Sequence, residues 1–86
     1  MFCPLDLPSF FPYGKMKRQI TSEQDLGASI RRRRNELELT QGELADVSGV
    51  TLRFVSELER GKGTAQFDGI RRVLAALGLN LFVESR

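Results

Sequence analysis

Residues 51–62 carry the side chains of this chain best equipped for chemistry, Thr51, Arg53, Ser56, Glu57, Arg60 and Lys62, with Leu52 as an apolar member of the same run. Arg53 and Arg60 offer planar guanidinium forks, Glu57 only accepts, and the two hydroxyls both donate and accept. This is equipment for hydrogen-bonded recognition of a partner. Catalysis lacks its parts. There is no histidine in 86 residues and one cysteine, Cys3, so a nucleophile would have no usual base. A zinc site would need clustered Cys or His ligands. Glu57 and Glu59 are near in sequence, but two residues apart on a helix they face apart. The chain is therefore read as no enzyme, with no cofactor and no metal.

The recognition face needs short helices to hold it. Thr40, with Glu43 three residues later, forms a capping box that starts a helix at Gln41. Leu44, Ala45 and Val47 give that helix a short apolar face. Gly49 turns left-handed without a Cβ penalty, and Thr51 caps a second helix. Val55 and Leu58, three apart, point the second helix inward. Ala45 is small where the two helices cross, and Val50 and Val55 fill the angle between them. Two short helices about a glycine turn form a helix-turn-helix.

Further elements flank this motif. Residues 20–38 read as a first helix, with a Thr21–Gln24 capping box or Ser22 as the alternative cap. Leu26, Ile30 and Leu37 mark its inner face. Gly27 weakens it by ~1 kcal/mol relative to Ala, which points to a close approach. Arg31, Arg32, Arg33 and Arg34 cannot share one face at 3.6 residues per turn, so one of them should look inward or across. Beyond the loop of Gly61, Lys62 and Gly63, Thr64 can cap another helix. Phe67, Ile70, Val73, Leu74 and Leu77 form its amphipathic face, and Gly78 ends it. Leu79, Leu81 and Val83 then alternate with Asn80, Phe82 and Glu84, the period of a strand. A strand cannot satisfy its own backbone groups, so its expected partner is the same strand of a second copy.

A chain this short holds one domain and buries only ~60% of its unfolded surface; oligomerisation is one way to bury more. The net charge of +2 is modest, and the sequence pI near 9.1 is compatible with nucleic acid. A lone cysteine excludes an internal disulfide and fits a cytoplasmic location. No apolar run approaches the ~20 residues that span a bilayer, so no membrane is expected. Residues 1–13 hold three prolines and four aromatics without a helical or strand period, and lack the marks of a signal peptide. The chain divides into a disordered or partner-binding arm (1–19, with Phe10 and Phe11 as anchors), a helix-turn-helix domain (20–78) and a dimerisation strand (79–86).

The L-T-Q run ending at Gln41, the Leu44-Ala45 and Gly49-Val50 pairs, and VSELERG at residues 55–61 resemble the Cro-type phage-repressor (Xre) helix-turn-helix family, over residues 26–79. Within that family, RFVSELERGKGTAQ at 53–66, VLAALGL at 73–79 and an extended tail in place of a fifth helix resemble HipB-like antitoxins. The resemblance implies an all-α, four-helix phage-repressor-like fold with a C-terminal strand pairing across a homodimer. It places the second motif helix in the major groove of DNA, with Gln41 anchored to backbone and able to brace a base-reading side chain. Thr51, Leu52, Arg53 and Ser56 fall where the family meets base edges. The Arg53 fork suits guanine O6 and N7, and Leu52 suits a thymine methyl. Glu57 either accepts from cytosine N4 or balances Arg53 and Arg60, and Lys62 meets phosphate. Lys15, Lys17 and Arg18 can touch the DNA backbone as a basic arm. Arg34 pairs with Glu59 in the family, and Leu79, Leu81, Phe82 and Val83 form the dimer ribbon. The implied partners are palindromic operator DNA, a second copy and a HipA-like kinase toxin, with repression of the shared operon. A stand-alone phage-type regulator and a protein-interaction module that has lost DNA binding are the alternatives. Intact Gln41, Arg53 and Lys62 argue against that loss.

Overall fold

The computed structural model describes residues 18–63 and 65–85. They form four helices: α1 (Glu23–Glu36), α2 (Gln41–Ser48), α3 (Leu52–Glu59) and α4 (Phe67–Ala76). Most of the arm, with Cys3, Phe10, Phe11, Lys15 and Lys17, lies outside the described residues, as do Thr64 and Arg86.

Local signals start and stop the helices. The Thr40 hydroxyl accepts from the Glu43 N–H at 3.0 Å, and the Glu43 carboxylate accepts from the Thr40 N–H at 2.8 Å. Both halves of that capping box are thus made. Gly49 closes α2 at φ 75°, and the Thr51 hydroxyl accepts the Phe54 N–H to open α3. The first helix is shorter than residues 20–38. Its cap is Ser22, which accepts from the Asp25 N–H at 3.1 Å, while the Thr21 hydroxyl donates to the Asp25 carboxylate at 2.6 Å. At the other end Glu38 takes φ 59°, which breaks the helical path. Gln66 precedes α4 without a side-chain cap bond, and Gly78 follows that helix at φ 73°.

The core is Ile30, Leu44, Ala45, Val55, Leu58, Val73, Leu74 and Leu77, with Leu26, Leu39, Val50, Phe54 and Ile70 packed around it. Three expected inner residues face out: Leu37, Val47 and Phe67 are 40%, 65% and 66% exposed. Leu37 follows the last turn of α1, and Leu39 packs on the core instead. The buried stripe of α2 runs through Leu44, Ala45 and Ser48, which rotates Val47 to the outside. Phe67 shares the stripe of Ile70, Val73 and Leu74 but opens the helix, beyond the neighbours that cover them.

α1 crosses the end of α3 at Gly27. A Cβ there would lie 2.5 Å from the Leu58 carbonyl oxygen and 2.7 Å from that of Glu59. Both obstacles are backbone, so neither can swing aside. Gly27→Ala should therefore destabilise by about 1–3 kcal/mol, against the ~1 kcal/mol that Ala gains in helix propensity. Urea unfolding measures it; a variant more stable than the parent would show that α1 can back away.

Candidate nucleic-acid interface

The geometry that fixes this surface begins beneath it. Arg34 donates from Nε to Glu59 Oε2 at 2.6 Å, from Nη2 to Glu59 Oε1 at 3.1 Å and from Nη1 to the Leu39 carbonyl at 2.7 Å. The two side chains are only 11% and 3% exposed. Gln41 Nε2 donates to the same Glu59 Oε1 at 3.0 Å. One carboxylate therefore ties together α1, the start of α2 and the end of α3. The hydrogen bonds to Glu59 hold the Arg34 guanidinium still further above its ordinary pKa. Gln41, at the opening of α2, is itself braced by Glu59.

Two of the four consecutive arginines leave the solvated face, where one was expected. Arg33 Nε donates to the Leu77 carbonyl at 2.9 Å, closing the end of α4. The reason is helical: residues 33 and 34 stand three and four beyond the buried Ile30, on either side of the inward stripe.

On α3, Thr51, Leu52 and Arg53 are exposed, Ser56 and Glu57 are half-buried, and Arg60 is exposed just beyond the helix. The Arg53 side chain is 86% exposed, and its Nε donates to Glu57 Oε2 at 3.0 Å. Its terminal nitrogens, the fork, make no bond among the described residues. Lys62 Nζ stands 4.0 Å from the same Glu57 oxygen. Arg53 chiefly, with Lys62 and Arg60 adding their charge, holds the Glu57 carboxyl below the usual carboxylate range. Glu57 thus stands against both Arg53 and Lys62 in the free chain. Thr51, Leu52, Arg53 and Arg60 are exposed on or beside α3, ion pairs join Arg53 and Lys62 to Glu57, and Gln41 is tied through Glu59 to the end of the same helix.

Phe54, to which the sequence assigned no role, locks α3 to α4. Its ring lies against Gly69 so closely that a Cβ on Gly69 would overlap it. No signal along the chain marks this contact, because its two residues stand on different helices. Arg72 adds a long bond from Nη1 to the Gly49 carbonyl at the motif's turn, 3.5 Å.

Leu79 packs on the core, and residues 80–85 are exposed. Leu81, Phe82 and Val83 are 52%, 70% and 103% exposed. No strand forms among the described residues of the single chain.

Residues 30–83 match the family model described as helix-turn-helix, HTH_3. The chain belongs to this family of DNA-binding transcription regulators. It is also similar to an uncharacterized HTH-type transcriptional regulator, y4mF, of Sinorhizobium fredii, at 46% identity over 66 residues, 77% of this chain and 87% of that one. Among solved structures, the fold matches HipB in a HipB–O4 20-mer complex at a TM-score of 0.73 and 22% identity, over 80% of this chain and 97% of that one. A HipA–HipB–O2–O3 complex matches at 0.74 and 22%, over the same shares. The clp gene regulator ClgR of Corynebacterium glutamicum matches at 0.60 and 37%, over 66% of this chain and 61% of that one. The four helices of this helix-turn-helix regulator are therefore the phage-repressor-like arrangement that its motifs imply. None of the described helices is long and apolar enough to cross a membrane.

Proposed function

We propose that this regulator is a homodimeric, sequence-specific repressor that reads a palindromic operator through α3, and that it is the antitoxin of a HipA-like kinase toxin whose operon it represses in the cytoplasm. The observation that carries the reading is the outer face of α3. Arg53 is held by Nε and leaves its fork outward, on a scaffold braced by Glu59. Leu52 and Ser56 flank it at one helical turn's reach, and Lys62 and Gln41 stand at the two margins to hold phosphate. The antitoxin role draws support from the neighbours solved with a 20-mer and with HipA and from the exposed apolar tail. A second reading, a regulator without a toxin, draws support from the likeness to the clp gene regulator at 37% identity.

Selection of binding sites from random duplexes tests DNA reading directly. The expected result is an inverted repeat with half-sites about one turn, ~34 Å, apart; an unenriched pool would overturn the proposal. On the selected site, Arg53→Ala should cost ~1–3 kcal/mol and relax one position per half-site. Lys62→Ala should weaken all sequences alike and flatten the salt dependence by about one unit of slope per half-site. An Arg53→Ala protein with an unchanged ratio of operator to random binding contradicts the assignment of that side chain. Co-purification with the product of the adjacent gene separates antitoxin from lone regulator.

A further inference from the structure

We infer that Arg31 and Arg32 form a second DNA-contacting edge, which grips backbone phosphates of the duplex just outside each half-site. The inference rests on the reading of α3 as the groove-entering helix. Of the four consecutive arginines, Arg33 is committed to the end of α4 and Arg34 to Glu59. Arg31 and Arg32 are exposed and make no hydrogen bond or ion pair among the described residues. They line an open depression on the outer side of α1 with Ala28, Asn35 and Glu36, and this depression reaches Glu59. The two acids there are already neutralised, Glu36 by Arg33 at 3.7 Å and Glu59 by Arg34. Two uncompensated cations are left.

Position selects the partner. α3 has eight residues and is ~12 Å long at 1.5 Å per residue, about the width of the major groove. A helix of that length lying in the groove brings its two ends toward the two phosphate ridges. Its last residue is Glu59, and α1 crosses it there, with Gly27 against the Leu58 and Glu59 carbonyls. Arg31 and Arg32 follow four and five residues beyond that crossing, a little over one turn. Arg32 stands roughly 200° round α1 from the buried Ile30, and Arg31 roughly 200° from Arg33, which bonds the end of α4, so the pair stands away from a dimer axis at α4 and the tail. The ridge they meet is the outer one.

The test uses the full chain, the Arg31→Gln/Arg32→Gln double variant, and two duplexes carrying the selected site. One duplex stops at the site's edges, and the other extends a full turn beyond each. On the long duplex the variant should lose about 3.6 units of salt slope, at ~0.9 per phosphate for two phosphates at each of the two half-sites. Raising salt from 50 to 200 mM then costs the parent about 150-fold more affinity than it costs the variant. On the short duplex the two proteins should show equal slopes. Equal slopes on the long duplex would overturn the inference and leave this face to an acidic protein partner. An equal loss on both duplexes would overturn it too, because the contacts would then lie within the site. A parent protein that shows no base preference defeats the reading of α3; a preserved preference with equal slopes defeats only the flanking edge. Matching thermal midpoints of parent and variant verify that the fold is intact.

Discussion

Glu59→Ala should destabilise the protein by roughly 3–5 kcal/mol, the cost of stranding one partner of a buried ion pair. The carboxylate is 3% exposed and takes three hydrogen bonds, two from Arg34 and one from Gln41. Its removal leaves the Arg34 guanidinium, itself only 11% exposed, with the Leu39 carbonyl as its remaining partner. An exposed pair would be worth 0–1 kcal/mol, so the magnitude alone reports burial. For a domain of this size, whose total stability stands near the lower end of 5–15 kcal/mol, the variant should melt far below the parent. A double-mutant cycle gives the cleaner measure. Arg34→Met with Glu59→Leu removes both charges and keeps apolar volume, and should be less harmful than the two single changes summed. Additive effects would show that the pair does not couple α1 to α3. Gln41→Ala should cost much less stability, since it removes one neutral donor from a carboxylate that keeps both Arg34 bonds.

The parts of this fold legible in the sequence are those set by neighbours along the chain. Thr40 and Glu43 make their capping box within four residues. Gly49 and Gly78 carry a positive φ that most side chains resist, and Thr51 caps α3 through the next N–H groups. Such signals need no knowledge of what packs where. The Arg34–Glu59 pair became legible only through the family resemblance, because 25 residues separate its partners. Arg33 was not legible at all: its acceptor is a backbone carbonyl 44 residues away, and a carbonyl leaves no mark in sequence. Spacing placed Leu37, Val47 and Phe67 on apolar faces, but burial depends on whether a neighbour covers that part of the face. The Phe54–Gly69 contact is invisible for the same reason. Periodicity orients a side chain and says nothing of the helix opposite. The outer face of α3 is easier to read because exposure needs no partner; once Val55 and Leu58 point inward, Arg53 and Ser56 are left toward the outside.

Deleting residues 80–86 should weaken dimerisation, and operator affinity should fall with it by about 10²–10⁴-fold, the factor that linking two half-site contacts supplies. Residues 80–85 are exposed, and they pair with no strand among the described residues. Leu81, Phe82 and Val83 in succession are large apolar residues more than half exposed. A second copy meets both needs at once, since a two-fold axis sets the same segment antiparallel to itself. Phe67, exposed at the start of α4, adds apolar area that the isolated chain leaves in water. The base preference within one half-site should survive the deletion, because Arg53, Ser56 and Gln41 owe their positions to Thr51, Glu57 and Glu59 and not to the tail. Loss of that preference would mean that the tail shapes the reading surface itself. Sedimentation at micromolar concentration separates the remaining outcomes. A monomer with weak but selective binding supports the ribbon, whereas an unchanged dimer would place the interface on the helices and leave the tail dispensable.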